Sequence, residues 1–364
     1  MSSLFGNVFK SFSGWSRNLP RGRSVGVDIG DTSIKMVELE NRDGVVTLTT
    51  YGELQIGPYA DEPLGQSVEL ETKREQAAVI DLIRESAVKA TDAVYTVPLS
   101  SSFVTVINVP EIKGVEDVSA QVRVEARKYI PIPINDVSLD WAEINRPGSK
   151  KDGSQEVLLA AIQNETLDRL HELMKQTNMP NQPTEIECFS MLRSVTGPRD
   201  KGVAIIDLGG GSSKLYISQS GLLEQIHRVR VGGAMATEKI AEALNSTFDE
   251  AEVKKRMTDP NTEIGRTIAK VHSETYSRVL REFKRVINEY EEDHKRTVDT
   301  VLLTGGVSLF QGMGEEVAVG IDRTVAAAAP FTQVAYPAFM EDVVNEIGPS
   351  FAVALGAALQ KFEM

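Results

Sequence analysis

Cysteine is almost absent from this chain. The single copy, Cys188, excludes an intrachain disulfide and any cysteine-rich metal site, and it fits a reducing cytoplasm. The four histidines, His171, His227, His272 and His294, lie in helix-like or strand-like stretches with no catalytic motif around them. No apolar run approaches the roughly 18 residues that a membrane span needs. Positive charge is also short. Against 52 Asp and Glu there are 39 Lys and Arg, a formal net charge of -13 over 364 residues. A dedicated nucleic-acid binder would show a basic face, so nucleic acid is not an expected partner. The remainder is 41% hydrophobic and 25% charged, the ordinary makeup of a globular chain long enough for two domains.

One short pattern occurs twice. Val27-Asp28-Ile29-Gly30-Asp31-Thr32-Ser33-Ile34-Lys35 aligns with Ile206-Asp207-Leu208-Gly209-Gly210-Gly211-Ser212-Ser213-Lys214, and both read D-x-G-x-x-S-x-K. In each, an apolar run ends in Asp-x-Gly, passes through a small polar turn and enters a second strand-like run. Such a turn brings backbone N–H groups close to an anion, with no Cβ in the way. Thr32, Ser33, Ser212 and Ser213 add hydroxyls, and Lys35 and Lys214 supply positive charge. Asp28 and Asp207 would repel a polyphosphate unless Mg2+ lay between, directly or through water, so both are candidate metal ligands. Two copies at equal offset predict two related lobes gripping one nucleotide. A third element, Thr304-Gly305-Gly306-Val307-Ser308, ends an apolar strand in glycines that let the chain lie flat against a nucleoside.

The rest of the chain divides by texture. Residues 24–51 read as a β-meander with a turn at Asn41-Arg42-Asp43-Gly44, residues 72–90 as a helix, and residues 93–97 as a strand closed by Pro98. Residues 99–165 read as a small αβ insertion. Its helix, Val115 to Lys128, stops before Tyr129-Ile130-Pro131-Ile132-Pro133 because prolines cannot continue it. Residues 264–294 form a long amphipathic helical pattern, and Val353 to Leu359 a closing helix. At the N-terminus Leu4, Phe5, Val8, Phe9, Phe12 and Trp15 recur at helical spacing, followed by Arg17, Arg21 and Arg23. Residues 4–15 are therefore a candidate amphipathic helix for a lipid headgroup layer; a disordered leader or a helix packed on a partner also fits.

The three glycine elements, in this order, resemble the actin/Hsp70/sugar-kinase superfamily. The chain is most similar to one branch, the actin-like type IV pilus assembly proteins called PilM. That closer likeness rests on Val124-Glu125-Ala126-Arg127-Lys128-Tyr129-Ile130-Pro131-Ile132-Pro133 and Val137-Ser138-Leu139-Asp140-Trp141, with support from Gly232-Gly233-Ala234-Met235-Ala236-Thr237 and Ala251-Glu252-Val253-Lys254-Lys255. The resemblance implies an α/β, two-lobed fold of two ribonuclease-H-like lobes with ATP and Mg2+ in the cleft. It places lobe I at 24–98 and 183–202 with a closing helix at 350–364, an inserted interaction subdomain at 99–182, and lobe II at 203–240 and 299–349 with a helical subdomain at 241–298. Residues 1–23 form the leader. It further implies that Gly233, Glu252, Lys255, Gly305, Gly306 and Ser308 contact the nucleotide, and that Glu187 polarises the attacking water. Any ATPase activity is expected to be weak.

The implied role is a cytoplasmic scaffold peripheral to the inner membrane. It would hold the N-terminal cytoplasmic tail of a bitopic pilus protein (PilN-like) near the Phe103 to Val109 strand and Tyr129 to Ile134. A membrane-associated, self-associating filament of the FtsA type is the alternative, and a superfamily sugar kinase a weaker one. Two residues depart from the family pattern. Asp31 stands where the first loop usually has Ser or Thr, and Cys188 where bacterial actins usually have Pro.

Overall fold

Strand alternation, tight turns and amphipathic helices follow one another in an order used twice. The structure, a computed structural model, describes residues 21–110, 119–144, 150–151, 153–177, 179, 184–197, 200–259 and 261–362. The leader at 4–15 and the expected helix start at 115–118 lie outside the described residues.

The chain opens with an antiparallel meander of β1 (Gly22–Ile29), β2 (Ser33–Arg42) and β3 (Val45–Gln55). The β2–β3 turn needs only Asp43 and Gly44, both left-handed at φ 53° and 90°. This is the two-residue geometry whose twist matches its strands. Helix α1 (Thr72–Glu85) follows, shorter than the expected 72–90. Ala87 turns left-handed at φ 50°, and its N–H closes on Arg84 O at 3.1 Å, which ends the helix without a glycine. Strand β4 (Ala93–Val97) then runs parallel to β1.

The next stretch builds a separate small sheet: β5 (Ser102–Pro110), α2 (Ser119–Ala126), β6 (Val137–Glu143), β7 (Lys150–Lys151) and β8 (Ser154–Gln163), in the order β5-β8-β6 with β7 also on β8. Ile107, Val122, Val157 and Leu159 form its core, and Ile132, Ile134 and Trp141 cover it. Helix α3 (Asn164–Gln176) returns the chain to β9 (Glu185–Ile186) and α4 (Glu187–Val195).

A second meander follows: β10 (Gly202–Leu208), β11 (Ser213–Gln219) and β12 (Leu222–Val229). Helices α5 (Gly233–Leu244), α6 (Phe248–Met257) and α7 (Glu263–His294) separate it from β13 (Thr300–Thr304), α8 (Met313–Ile321) and β14 (Val325–Ala327). The two large sheets have matching orders, β3-β2-β1-β4-β9 and β12-β11-β10-β13-β14. In each, three antiparallel strands continue into two parallel ones. The last helix, α9 (Glu341–Leu359), starts earlier than the expected 350 and runs through Pro349.

The core around Val25, Met36, Val79 and Tyr95 of the first lobe continues into Val203, Ile205 and Tyr216 of the second, and Ile206, Leu215, Phe283 and Leu303 form a further core in the second lobe. Each such side chain contributes about 1.5–3 kcal/mol of transfer free energy. Where α4 and α9 meet, Glu185 accepts Arg193 Nη1 and Nη2 at 2.6 and 2.7 Å, and also takes hydrogen bonds from Ser190 and Gln360. This buried charge is paired on every side, as burial requires. Among the described residues no helix is long and apolar enough to cross a membrane.

Candidate functional site

The two D-x-G hairpins superimpose in their hydrogen bonding as well as in sequence. Asp28 pairs across the strands with Lys35, and Asp207 with Lys214. Each turn closes alike: Gly30 N–H donates to Ser33 O and Gly209 N–H to Ser212 O, both at 3.0 Å. The turns meet face to face. A Cβ on Gly210 would run into the Thr32 side chain, and one on Gly211 into the Asp31 carboxylate, so only glycine fits the second loop there.

Both hairpins open onto one cavity of about 780 Å³, within the range of small-molecule sites. Its wall contains Asp28, Gly30, Thr32, Ser33, Lys35, Glu187, Asp207, Gly209, Gly210, Gly211, Ser212, Lys214, Gly233, Glu252, Lys255, Gly305 and Gly306. Of the residues expected from sequence, Ser213 and Ser308 are not in the wall. Ser213 opens β11, and its hydroxyl donates to Val231 O at 2.7 Å. The Ser308 hydroxyl donates to Gly305 O at 2.6 Å. The glycine loop is braced from behind by α9: Pro349 O accepts the Gly305 N–H at 3.0 Å and the Thr304 hydroxyl at 2.6 Å.

Charge in the cleft is crowded. Lys214 Nζ lies 2.6 Å from Glu187 Oε2 and 3.6 Å from Asp207 Oδ2. Glu187 Oε1 accepts the Leu99 N–H at 2.8 Å. Lys35 donates to Ser33 Oγ at 2.7 Å and faces Glu53 at 3.3 Å. Burial, then the neighbouring Glu187, push the Asp28 carboxyl up to about 6, although Lys35, Lys214 and the Thr96 hydroxyl favour its charge. Burial raises Asp207 as well, with Lys214 opposing. Burial alone would lower the Lys214 ammonium, but Glu187 and then Asp207 outweigh it and raise it. Carboxylates short of positive charge suit a cation arriving with a ligand.

At the far end, Glu252 binds Lys255 at 2.5 Å, Arg256 at 2.7 Å and the Thr237 hydroxyl at 2.6 Å. Burial works against Glu252, yet these donors hold it below its ordinary value. Lys255 has one carboxylate for its desolvated ammonium and is lowered. From the first lobe, Gly65 packs against Glu252 and Gln66 reaches Glu238 at 3.5 Å, closing this end.

Sequence reasoning missed several wall residues: Glu53, Arg228, Arg256, His272 and Phe310. Glu53 lies opposite Lys35 in the β2–β3 register, a pairing visible only once that register is known. His272 stacks on Phe310 with ring centroids 4.0 Å apart and 15° between planes. Among the described residues neither ring nitrogen has a hydrogen-bond partner, and burial lowers the imidazole to about 4.

The wall tests the expected ligand. Two glycine turns and lysines on both hairpins suit phosphates. Among the described residues no group of three or more His, Cys, Asp or Glu is arranged to hold a metal. Two carboxylates fit Mg2+ that keeps its waters and is carried in on phosphate, rather than a resident ion.

The comparisons with known proteins agree with this geometry. The solved structure of a PilM–PilN type IV pilus biogenesis complex matches with a TM-score of 0.78 at 24% identity, over 95% of this chain and 100% of that one. The ethanolamine utilization protein EutJ from Carboxydothermus hydrogenoformans matches with a TM-score of 0.53 at 15% identity, over 94% and 90% of the two chains. The cell division protein FtsA of Helicobacter pylori is 25% identical over 255 residues, 62% of this chain. The chain spans about half the length of that curated relative (51%). The model for the type IV pilus assembly protein PilM matches residues 26–362, with both hairpins, the small sheet and the glycine loop inside the match. The chain therefore belongs to the family of the type IV pilus assembly protein PilM.

Proposed function

We propose that the protein is an ATP-binding scaffold of type IV pilus assembly, cytoplasmic and peripheral to the inner membrane, whose lobes close on one Mg-ATP. The observation that carries this reading is the pair of matched hairpins, with Asp28 and Asp207 lining a single cavity. Gly30, Thr32 and Ser33 on one side, and Gly209 to Ser212 on the other, would cradle the phosphates. Lys35 and Lys214 would neutralise them, and Asp28 and Asp207 would hold Mg2+ through its waters. Glu252, Lys255, Gly233 and the Gly305–Gly306 turn would take the nucleoside. Bound Mg2+ would supply charge neutralisation at the terminal phosphates.

Glu187 is the candidate general base. Leu99 N–H fixes its orientation, but Lys214 occupies its other oxygen.

The small sheet supports the docking role. Edge strand β5 is mostly half-buried, and Tyr129, just after α2 in the same subdomain, is exposed. We assign the tail of a bitopic inner-membrane protein of the PilN kind to this sheet, and residues 99–182 as its boundaries. The test is capture of such a tail peptide by the full chain with Mg-ATP present. Failure to capture it would remove the docking assignment while leaving the nucleotide site standing. The likeness to FtsA favours a second reading, a self-associating filament. Electron microscopy with Mg-ATP and liposomes separates the two.

A further inference from the structure

The central cation of the cleft already has an anion. Glu187 opens α4, where a carboxylate is favoured by the helix N-terminus, and it is only 5% exposed. It cannot turn away from Lys214 without giving up the Leu99 N–H. Lys214 is itself mostly buried, and once parted from Glu187 it keeps only the longer 3.6 Å contact with Asp207 unless another anion takes the place. Lys35 differs, because its partner Glu53 is partly open to solvent and sits farther off, at 3.3 Å. The two hairpin lysines are therefore unequal despite equivalent strand positions.

Resting on the nucleotide reading above, we propose that Glu187 is an internal competitor of the terminal phosphate for Lys214, and that this competition sets the affinity for Mg-nucleotide. Phosphate binding transfers the ammonium from Glu187 Oε2 to phosphate oxygen. Leu99 N–H keeps the carboxylate in place, and Oε2 becomes free only once the site is filled. Glu187 thus acts on binding as a positioning residue, through Lys214.

Titration calorimetry of the full chain with Mg-ATP, across a double-mutant cycle, tests this. Glu187→Gln keeps an acceptor for Leu99 but gives up the charge. It should bind Mg-ATP roughly tenfold more tightly than the parent, within the usual range of coupled contacts. In a Lys214→Met background the same change should alter affinity by less than about twofold. A Glu187→Gln protein that binds no more tightly overturns the proposal. So does an equal gain without Lys214, since Glu187 would then act only as a nearby charge. If Lys214→Met is too weak to titrate, a crystal structure with Mg2+ and a non-hydrolysable ATP analogue decides. Lys214 Nζ on phosphate and beyond ion-pair reach of Glu187 supports the competition; the ammonium still on Glu187 overturns it. Parent protein that binds no Mg-ATP at all points instead to failure of the nucleotide reading.

Discussion

Replacing His272 with phenylalanine should make the protein more resistant to acid. The imidazole is 2% exposed, stacks on Phe310, and finds no hydrogen-bond partner for either nitrogen among the described residues. Burial, then the nearby Lys255, lower it from 6.5 to about 4. The unfolded chain therefore binds a proton between these values that the folded chain refuses. Stability from this residue is complete above pH 6.5 and is lost as pH falls towards 4. Linkage puts the loss at about 2 kcal/mol on going from pH 8 to pH 5. For a chain of this length that is a fall of about 3 °C in Tm. Phenylalanine keeps the ring stack and has no proton to take up. Thermal unfolding of both proteins at pH 5 and pH 8, without nucleotide, reads the difference. His272→Phe should keep more of its Tm at pH 5 by that margin. Equal losses in the two proteins would show that His272 is not buried neutral.

Other expectations concern different parts of the molecule. Glu185→Ala removes the carboxylate that takes two hydrogen bonds from the buried Arg193 guanidinium and should cost about 3–5 kcal/mol in denaturant unfolding; a loss below about 1 kcal/mol would mean that the remaining partners or water hold that charge. Gly211→Val drives a side chain into Asp31 and should weaken Mg-ATP binding at least tenfold, in calorimetry, with the circular dichroism spectrum unchanged. Unaltered affinity would show that the loops need not approach so closely. Deleting residues 1–20 should abolish co-sedimentation with anionic vesicles and leave nucleotide affinity intact. Retained vesicle binding would assign membrane contact elsewhere.

The hairpins were legible in the sequence because two constraints coincide there: a turn that needs glycine and strands that need alternation. Asp28 and Lys35 are seven residues apart, as are Asp207 and Lys214, and that equal spacing already contains the cross-strand pairing seen in both sheets. Less visible was anything set by side-chain direction. Ser213 looked equivalent to Ser212, but its hydroxyl donates to Val231 O. Helix boundaries failed where the usual markers mislead. Ala87 takes a left-handed turn without being glycine, and Pro349 lies within α9 instead of before it. His272 and Phe310 were hidden because they come from separate elements, one an ordinary position on the polar-rich α7. Asp31 could be flagged as a departure, but only the structure sets it against Gly211.

The binding of Mg-ATP to the parent protein and to Asp207→Ala, followed by calorimetry with Mg2+ present and then chelated, bears most directly on the twin-hairpin clamp. The parent should bind one nucleotide per chain, more tightly with Mg2+. Asp207→Ala should stay folded and lose that Mg-dependent gain. Equal Mg-dependent affinity in the two proteins would contradict the clamp.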